Sequence, residues 1–199
     1  PNVVCAGAPV TLNVYSAGIG NGPQTAPTGY CTSIFSNSTE DDIGQVTFAS
    51  INNPAVRPTP QTGNAAANKV YTDFTGLTPA TIIAGTTYPA TIYQFHDGTD
   101  VTSNTCRIYF DFNRDGDFAD AGEFFDIPKL SGGFYADFSG NVTIPVTAAA
   151  GVTRMRVILK EGIVSSPCDP AGTWGETEDY LVNIQSVVPQ NPALTYAWN

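Results

Sequence analysis

Apolar residues in this 199-residue chain recur at every second position and almost never at helical spacing. The two alanine triplets, 65–67 and 148–150, are too short to sustain a helix alone. Alternation marks strands instead, expected over 10–15, 43–51, 70–74, 86–95, 105–112, 124–127, 134–146, 152–160 and 180–188. Gly, Pro, Asn and Ser separate these runs, as turns require. Strands at this spacing read as an all-β chain, an antiparallel β-sandwich of jelly-roll or Ig-like type with long loops. With 42% apolar residues the chain is not disordered, and its apolar runs are too short for a transmembrane helix. It shows no signal peptide, and a start at Pro1 is expected of a mature or trimmed chain.

The run Arg154-Met155-Arg156-Val157-Ile158-Leu159 is two-faced. Met155, Val157 and Leu159 share one side, and Arg154, Arg156 and Ile158 the other. Two arginines on one strand face of an acidic chain are expected to pair with carboxylates, either those of 176–179 or those of 111–123. His96-Asp97-Gly98 reads as a hairpin turn, which leaves the only histidine no evident catalytic role. Long loops are expected over 52–68, stiffened by Pro54, Pro58 and Pro60, and over 161–175. The organisation expected is an N-terminal strand and linker over 1–28, a sandwich over 29–186, and a linker with a strand-like tail over 187–199. Both end segments have strand character without an obvious local partner.

Eight Lys plus Arg stand against eighteen Asp plus Glu, a formal charge of −10. Such a surface repels phosphate backbones and anionic lipid, which excludes nucleic acid and argues against membrane docking. Cys5, Cys31, Cys106 and Cys168 form no CxxC pair, so a zinc site is not expected. Their even number suits disulfides in an oxidising, extracellular setting. Of the three pairings, the one that keeps each bond within one half of the chain is Cys5–Cys31 with Cys106–Cys168. Four buried thiols are the alternative.

The most informative run is 111–123, where Asp111, Asn113, Asp115 and Asp117 place oxygen donors at every second position. Gly116 sits sixth, where an ion-wrapping loop must turn sharply. Calcium takes six to eight hard oxygen ligands, and such a loop supplies them. In that pattern the seventh position serves through its main chain, which would be Asp117. The twelfth place, normally a closing carboxylate, is Gly122, and Glu123 follows one later. The reading is an EF-hand-like Ca2+ loop grafted between strands, with Asp111, Asn113, Asp115, Asp117 and Glu123 as ligands. A solvated acidic turn is the plain alternative, and catalysis by these carboxylates a remote one. Asp111, Asp115, Asp117, Asp120, Glu123 and Asp126 supply six of the eighteen acids within sixteen residues, so much of the charge is concentrated here.

A second motif is Trp174-Gly175-Glu176-Thr177-Glu178-Asp179-Tyr180. With the acidic loop it resembles the GEVED domain, named for Gly-Glu-x-Glu-Asp-Tyr. Tyr30-Cys31, Ile43-x-x-Val46, Tyr71-x-Asp73-Phe74, Gly85-x-x-Tyr88, Tyr109-x-Asp111-x-Asn113-x-Asp115-Gly116 and Gly151-x-x-Arg154-x-Arg156 extend the resemblance over about residues 30–185. Thr177 replaces the Val of the name. The resemblance implies a β-sandwich module of secreted or surface-attached bacterial proteins, with no catalytic activity generally assigned. Residues 5–12 look like the opening of an Ig-like repeat and 195–198 like an inner strand of one. Within the motif, Glu176 is expected to satisfy backbone amides, Asp179 to pair with Arg154 or Arg156, and Trp174 and Tyr180 to pack rather than to carry sugar.

The expected function is therefore a non-enzymatic extracellular structural or adhesive module of a bacterial surface protein or filament, stabilised by calcium and disulfides. Its partners would be neighbouring repeats or identical subunits, joined by β-strand addition. The alternative is a calcium-dependent module that binds a polysaccharide through the long loops, attached to a secreted hydrolase. An enzyme is not expected, since neither GxSxG nor HExxH occurs and an acidic pair would have to act alone.

Overall fold

In the computed structural model the described residues are 12–13, 16–38, 41–54, 70–95, 104–131, 136–168, 174–190 and 193–194. They form strands β1 (Leu12–Asn13), β2 (Ser16–Asn21), β3 (Asp42–Phe48), β4 (Ile51–Asn53), β5 (Tyr71–Asp73), β6 (Ala80–Ile83), β7 (Thr87–Phe95), β8 (Asn104–Phe110), β9 (Phe124–Ile127), β10 (Phe138–Thr143), β11 (Gly151–Glu161), β12 (Gly175–Gln190) and β13 (Ala193–Leu194). Helix is absent among the described residues.

Two sheets face each other. The smaller runs β10-β7-β3-β4 and the larger β2-β12-β11-β8-β9, all antiparallel, with β5 and β6 added in parallel along β12. β11 and β12 form the longest ladder, from Gly151 opposite Ile184 to Lys160 opposite Gly175. The alternation explains the layering, because every second side chain of a strand meets the facing sheet. Val46, Phe48, Ile92 and Phe138 of the smaller sheet pack against Ile108, Phe110, Met155, Val157, Leu159, Val182 and Ile184 of the larger.

The opposite face of the larger sheet is also covered. Tyr109 and Ile158 point outward beneath Phe35, Phe118 and Val164, which come from loops. The faces expected for 154–159 are thus the faces observed, but the polar-sided one lies under loops rather than in solvent. Arg156 is 1% exposed.

Three expectations change. β7 and β8 belong to different sheets, so these two strands do not pair as a hairpin. His96 itself, like most of the loop 52–68, lies outside the described residues. The disulfide pairing also differs: Cys31 bonds Cys168, and Cys106 is a free thiol at 2% exposure. The physical reason is layering. Cys106 faces inward from β8 between the sheets, whereas Cys31 and Cys168 lie in the loops that cover the outer face. Burial pushes the Cys106 thiol pKa up, with the Glu178 and Asp126 charges adding to it. Cys5 lies outside the described residues. Finally, β2 and β6 were not foreseen. Ser16–Asn21 carries two glycines and few β-branched residues, so nothing but its backbone pairing marks it as a strand.

Candidate functional site

The loop 111–123 leaves β8 and returns in β9. Strand β8 delivers Asp111 to the rim of the sheet, where Phe110 N donates to Glu123 O at 2.8 Å and closes the loop's neck. Gly116 turns the chain at φ +96, and a Cβ there would stand 2.4 Å from Thr28 O. No other residue type therefore fits this position. Arg114 ties the loop down by donating from Nη2 to Thr25 O at 2.8 Å and from Nε to Val152 O at 3.2 Å.

The acids divide into two sets. Asp111 and Glu123 are buried and turned toward the loop's own backbone. Asp111 accepts from Tyr30 O–H at 2.6 Å and from the amides of Asp115 and Gly116 at 3.1 Å each. Glu123 accepts from Phe112 N at 2.7 Å and, more weakly, from the amides of Asn113 and Asp120 at 3.4 Å. Burial pushes the Glu123 pKa up to about 7, and the Asp111 charge adds to this. The three backbone donors pull it down.

Asp115, Asp117 and Asp120 are exposed, and one carboxylate oxygen from each lies within 4.8 Å of the others. Asn113 Nδ2 reaches into the same group, 2.8 Å from Asp115 and 2.7 Å from Asp120. Three carboxylates at this separation repel one another in water, and a hard dication between them removes the repulsion. The three carboxylates offer only oxygen, which fits calcium better than a thiolate- or imidazole-seeking metal, and Asn113 would have to turn its amide oxygen inward to join them.

Of the five sequence-derived ligands, the structure therefore brings Asn113, Asp115 and Asp117 together. Asp111 and Glu123 sit one layer inside, shaping the loop. Asp117 contributes its carboxylate to the group rather than only its main chain. Asp120 was missed because it stands at the tenth place, outside the alternating pattern. The signal for it was the density of acids alone.

The second motif lies in the neighbouring strand. On β12, Glu176, Glu178 and Tyr180 face inward, while Thr177 and Asp179 face out. Asp179 joins Arg156 through two bonds, Nε to Oδ1 at 2.7 Å and Nη2 to Oδ2 at 2.8 Å. It also accepts from Arg154 at 3.2 Å and from Tyr71 O–H at 3.0 Å. Burial beside this carboxylate pushes the Tyr71 pKa up to about 12. Arg154 in turn stacks over Tyr30, its guanidinium carbon 4.3 Å from the ring centre. The fully buried Asp179 is thus the anchor of the outer face, as the arginine pairing expected.

Glu176 accepts from Ile43 N at 2.8 Å and from Thr72 O–H at 2.9 Å. Its pKa is raised well above the ordinary value by burial, and then by the charges of Glu178 and Asp42. These buried acids do not converge as ligands. Among the described residues only Asp115, Asp117 and Asp120 bring three ligand atoms within 4.8 Å. Tyr180 is 1% exposed, stacks on Phe74 at 5.2 Å, and donates to Glu178 at 2.6 Å, so it packs rather than presenting a platform.

Beside the acidic loop lies a small cleft of about 170 Å³, lined by Phe112, Asn113, Asp120, Glu123, Pro145 and Thr147 among others. The expected glycan loops lie largely outside the described residues: 55–69 and 169–173.

Residues 105–183, which run from β8 through the acidic loop and β11 into β12, match the family model of the GEVED domain. Among curated proteins, none matches this chain.

Proposed function

We propose that this chain is a non-catalytic extracellular module of a bacterial surface protein, with a calcium ion held by its 111–123 loop. The observation that carries the reading is the convergence of Asp115, Asp117 and Asp120 with Asn113 on a loop whose backbone Asp111 and Glu123 already fix. An ion there would neutralise the exposed carboxylates and lock the loop onto β11 and the 25–30 segment. The GEVED match, in a family associated with secreted proteins, supports an oxidising compartment, as does the Cys31–Cys168 bond. The motif acids support a structural role, because Glu176 and Asp179 are engaged by a backbone amide and by arginines.

Thermal unfolding in EDTA and in millimolar calcium tests the reading. At ten times Kd, one bound ion adds about 1.4 kcal/mol. Asp115→Asn with Asp120→Asn should abolish the difference. Equal melting temperatures in both media would remove calcium from the account.

One observation favours a second reading, a calcium-dependent polysaccharide-binding module. The 170 Å³ cleft shares Asn113, Asp120 and Glu123 with the ion loop, so a sugar hydroxyl seated there could reach the ion. A glycan array probed with and without calcium decides it, and no calcium-dependent spot retires it.

A further inference from the structure

The two chain ends, which the sequence left without partners, pair with each other. β2 runs antiparallel to the far half of β12, from Asn21 opposite Gln185 to Ser16 opposite Gln190. β1 and β13 pair Leu12 with Leu194 and Asn13 with Ala193. Both ladders share one register: Leu12 precedes Ser16 by four residues, and Leu194 follows Gln190 by four. They are one ribbon in two pieces.

The root of the ribbon is built into the sandwich. Where β11 ends at Gly151, opposite Ile184, β2 takes up the pairing one residue further along β12. Gly22 makes this possible, since a Cβ there would lie 1.8 Å from Ala150 O. Pro23 O accepts from Val152 N at 2.8 Å, and Gln185 Nε2 donates to Asn21 at 3.2 Å. Beyond this root the ribbon has two strands among the described residues, and two-stranded ribbons are marginal by themselves.

We infer that the two strands of this ribbon stand off the sandwich together at one corner, so that the chain enters at Leu12 and leaves at Leu194 side by side and the ribbon parts before the sandwich does. This goes beyond the calcium reading and does not depend on it. It has a mechanical corollary. Tension applied between the ends pulls an antiparallel ladder apart from its tip, one perpendicular hydrogen-bonded pair at a time.

Cross-linking tests the pairing. In a Cys5→Ser background, Asn13→Cys with Ala193→Cys places two thiols at directly opposed positions, where Cβ atoms stand about 5 Å apart. Mild oxidation in EDTA should close an intramolecular bond in the monomer. The off-register pair Asn13→Cys with Gln190→Cys should stay reduced. No bond in the first pair, or bonds between copies only, in protein whose melting temperature is unchanged, overturns the inference. The chain without engineered cysteines gives a second reading when stretched from its ends by optical tweezers. A first, low-force step should release 12–21 and 185–194, twenty residues or about 70 Å of chain. A single high-force rupture with no earlier step overturns it.

Discussion

The two faces of the larger sheet are buried by different means. The inner face meets another sheet, and its closure is apolar contact between β-branched and aromatic side chains. The outer face meets loops, and its closure depends on discrete fastenings: one disulfide, one buried ion pair and arginines laid over rings. Arg156 shows the contrast most clearly. It is bonded to Asp179, donates to Pro167 O at 2.8 Å, and lies over Phe118 with its guanidinium carbon 5.2 Å from the ring centre. A loop has too little apolar surface to hold itself against a sheet, so point attachments take the place of area. Damage to the inner face should therefore lower stability as a whole, whereas damage to the outer face should first free the loops.

Four changes sharpen or break that contrast. Two large effects of similar size come first, and one is Asp179→Ala, which leaves Arg156 buried without its counter-charge. The cost should be roughly 3–5 kcal/mol by urea denaturation. Amide exchange should rise first in 30–38 and 161–168, and simultaneous loosening of β3 and β7 would count against separate faces. The other is Cys168→Ser. The bond spans 137 residues, and the chain-entropy model gives about 5 kcal/mol for a loop of that length. Limited proteolysis should then cut within 161–168 while the β3–β7 ladder stays protected.

The third change is electrostatic. The Glu176 pKa is raised by folding, so the folded state binds more protons than the unfolded one above the ordinary value of 4.5. Stability is fully present below that pH and falls as pH rises from there toward the raised value. The slope is at most about 1.4 kcal/mol per pH unit for one proton. Glu176→Gln should flatten it in urea titrations from pH 4 to 8, and an unchanged slope would reassign the effect to other groups. The smallest effect is expected from Ile92→Val, a single methyl group in the inner layer. It should cost about 1 kcal/mol and leave the proteolysis pattern of the outer loops as it was.

Much of this was legible in the sequence where the information is local. Strand faces follow from alternation, and two arginines on one face of an acidic chain announce carboxylate partners, although that argument leaves 176–179 and 111–123 both open and only the fold selects Asp179. The acidic loop is visible as a spacing. Long-range choices were not legible. Nothing in the intervals between cysteines says that Cys31 and Cys168 share the outer layer while Cys106 faces inward. Asp97-Gly98 carries a hairpin signature, yet the sandwich sends β7 and β8 to different sheets. β2 exists because β12 outlasts β11 and leaves an open edge, a fact about its partner rather than about Ser16–Asn21. Asp120 lies beside Asp115 and Asp117 although it stands outside the alternating spacing.

Cys106 gives the molecule a clock. Its sulfur is closed between the sheets and unbonded, so an alkylating reagent reaches it only when the sandwich parts. In a Cys5→Ser background, with Cys31 and Cys168 joined to each other, the labelling rate at saturating reagent equals the opening rate of the inner layer. That rate, measured beside loop proteolysis, times the separation of the two faces in a single tube and without any new side chain in the core.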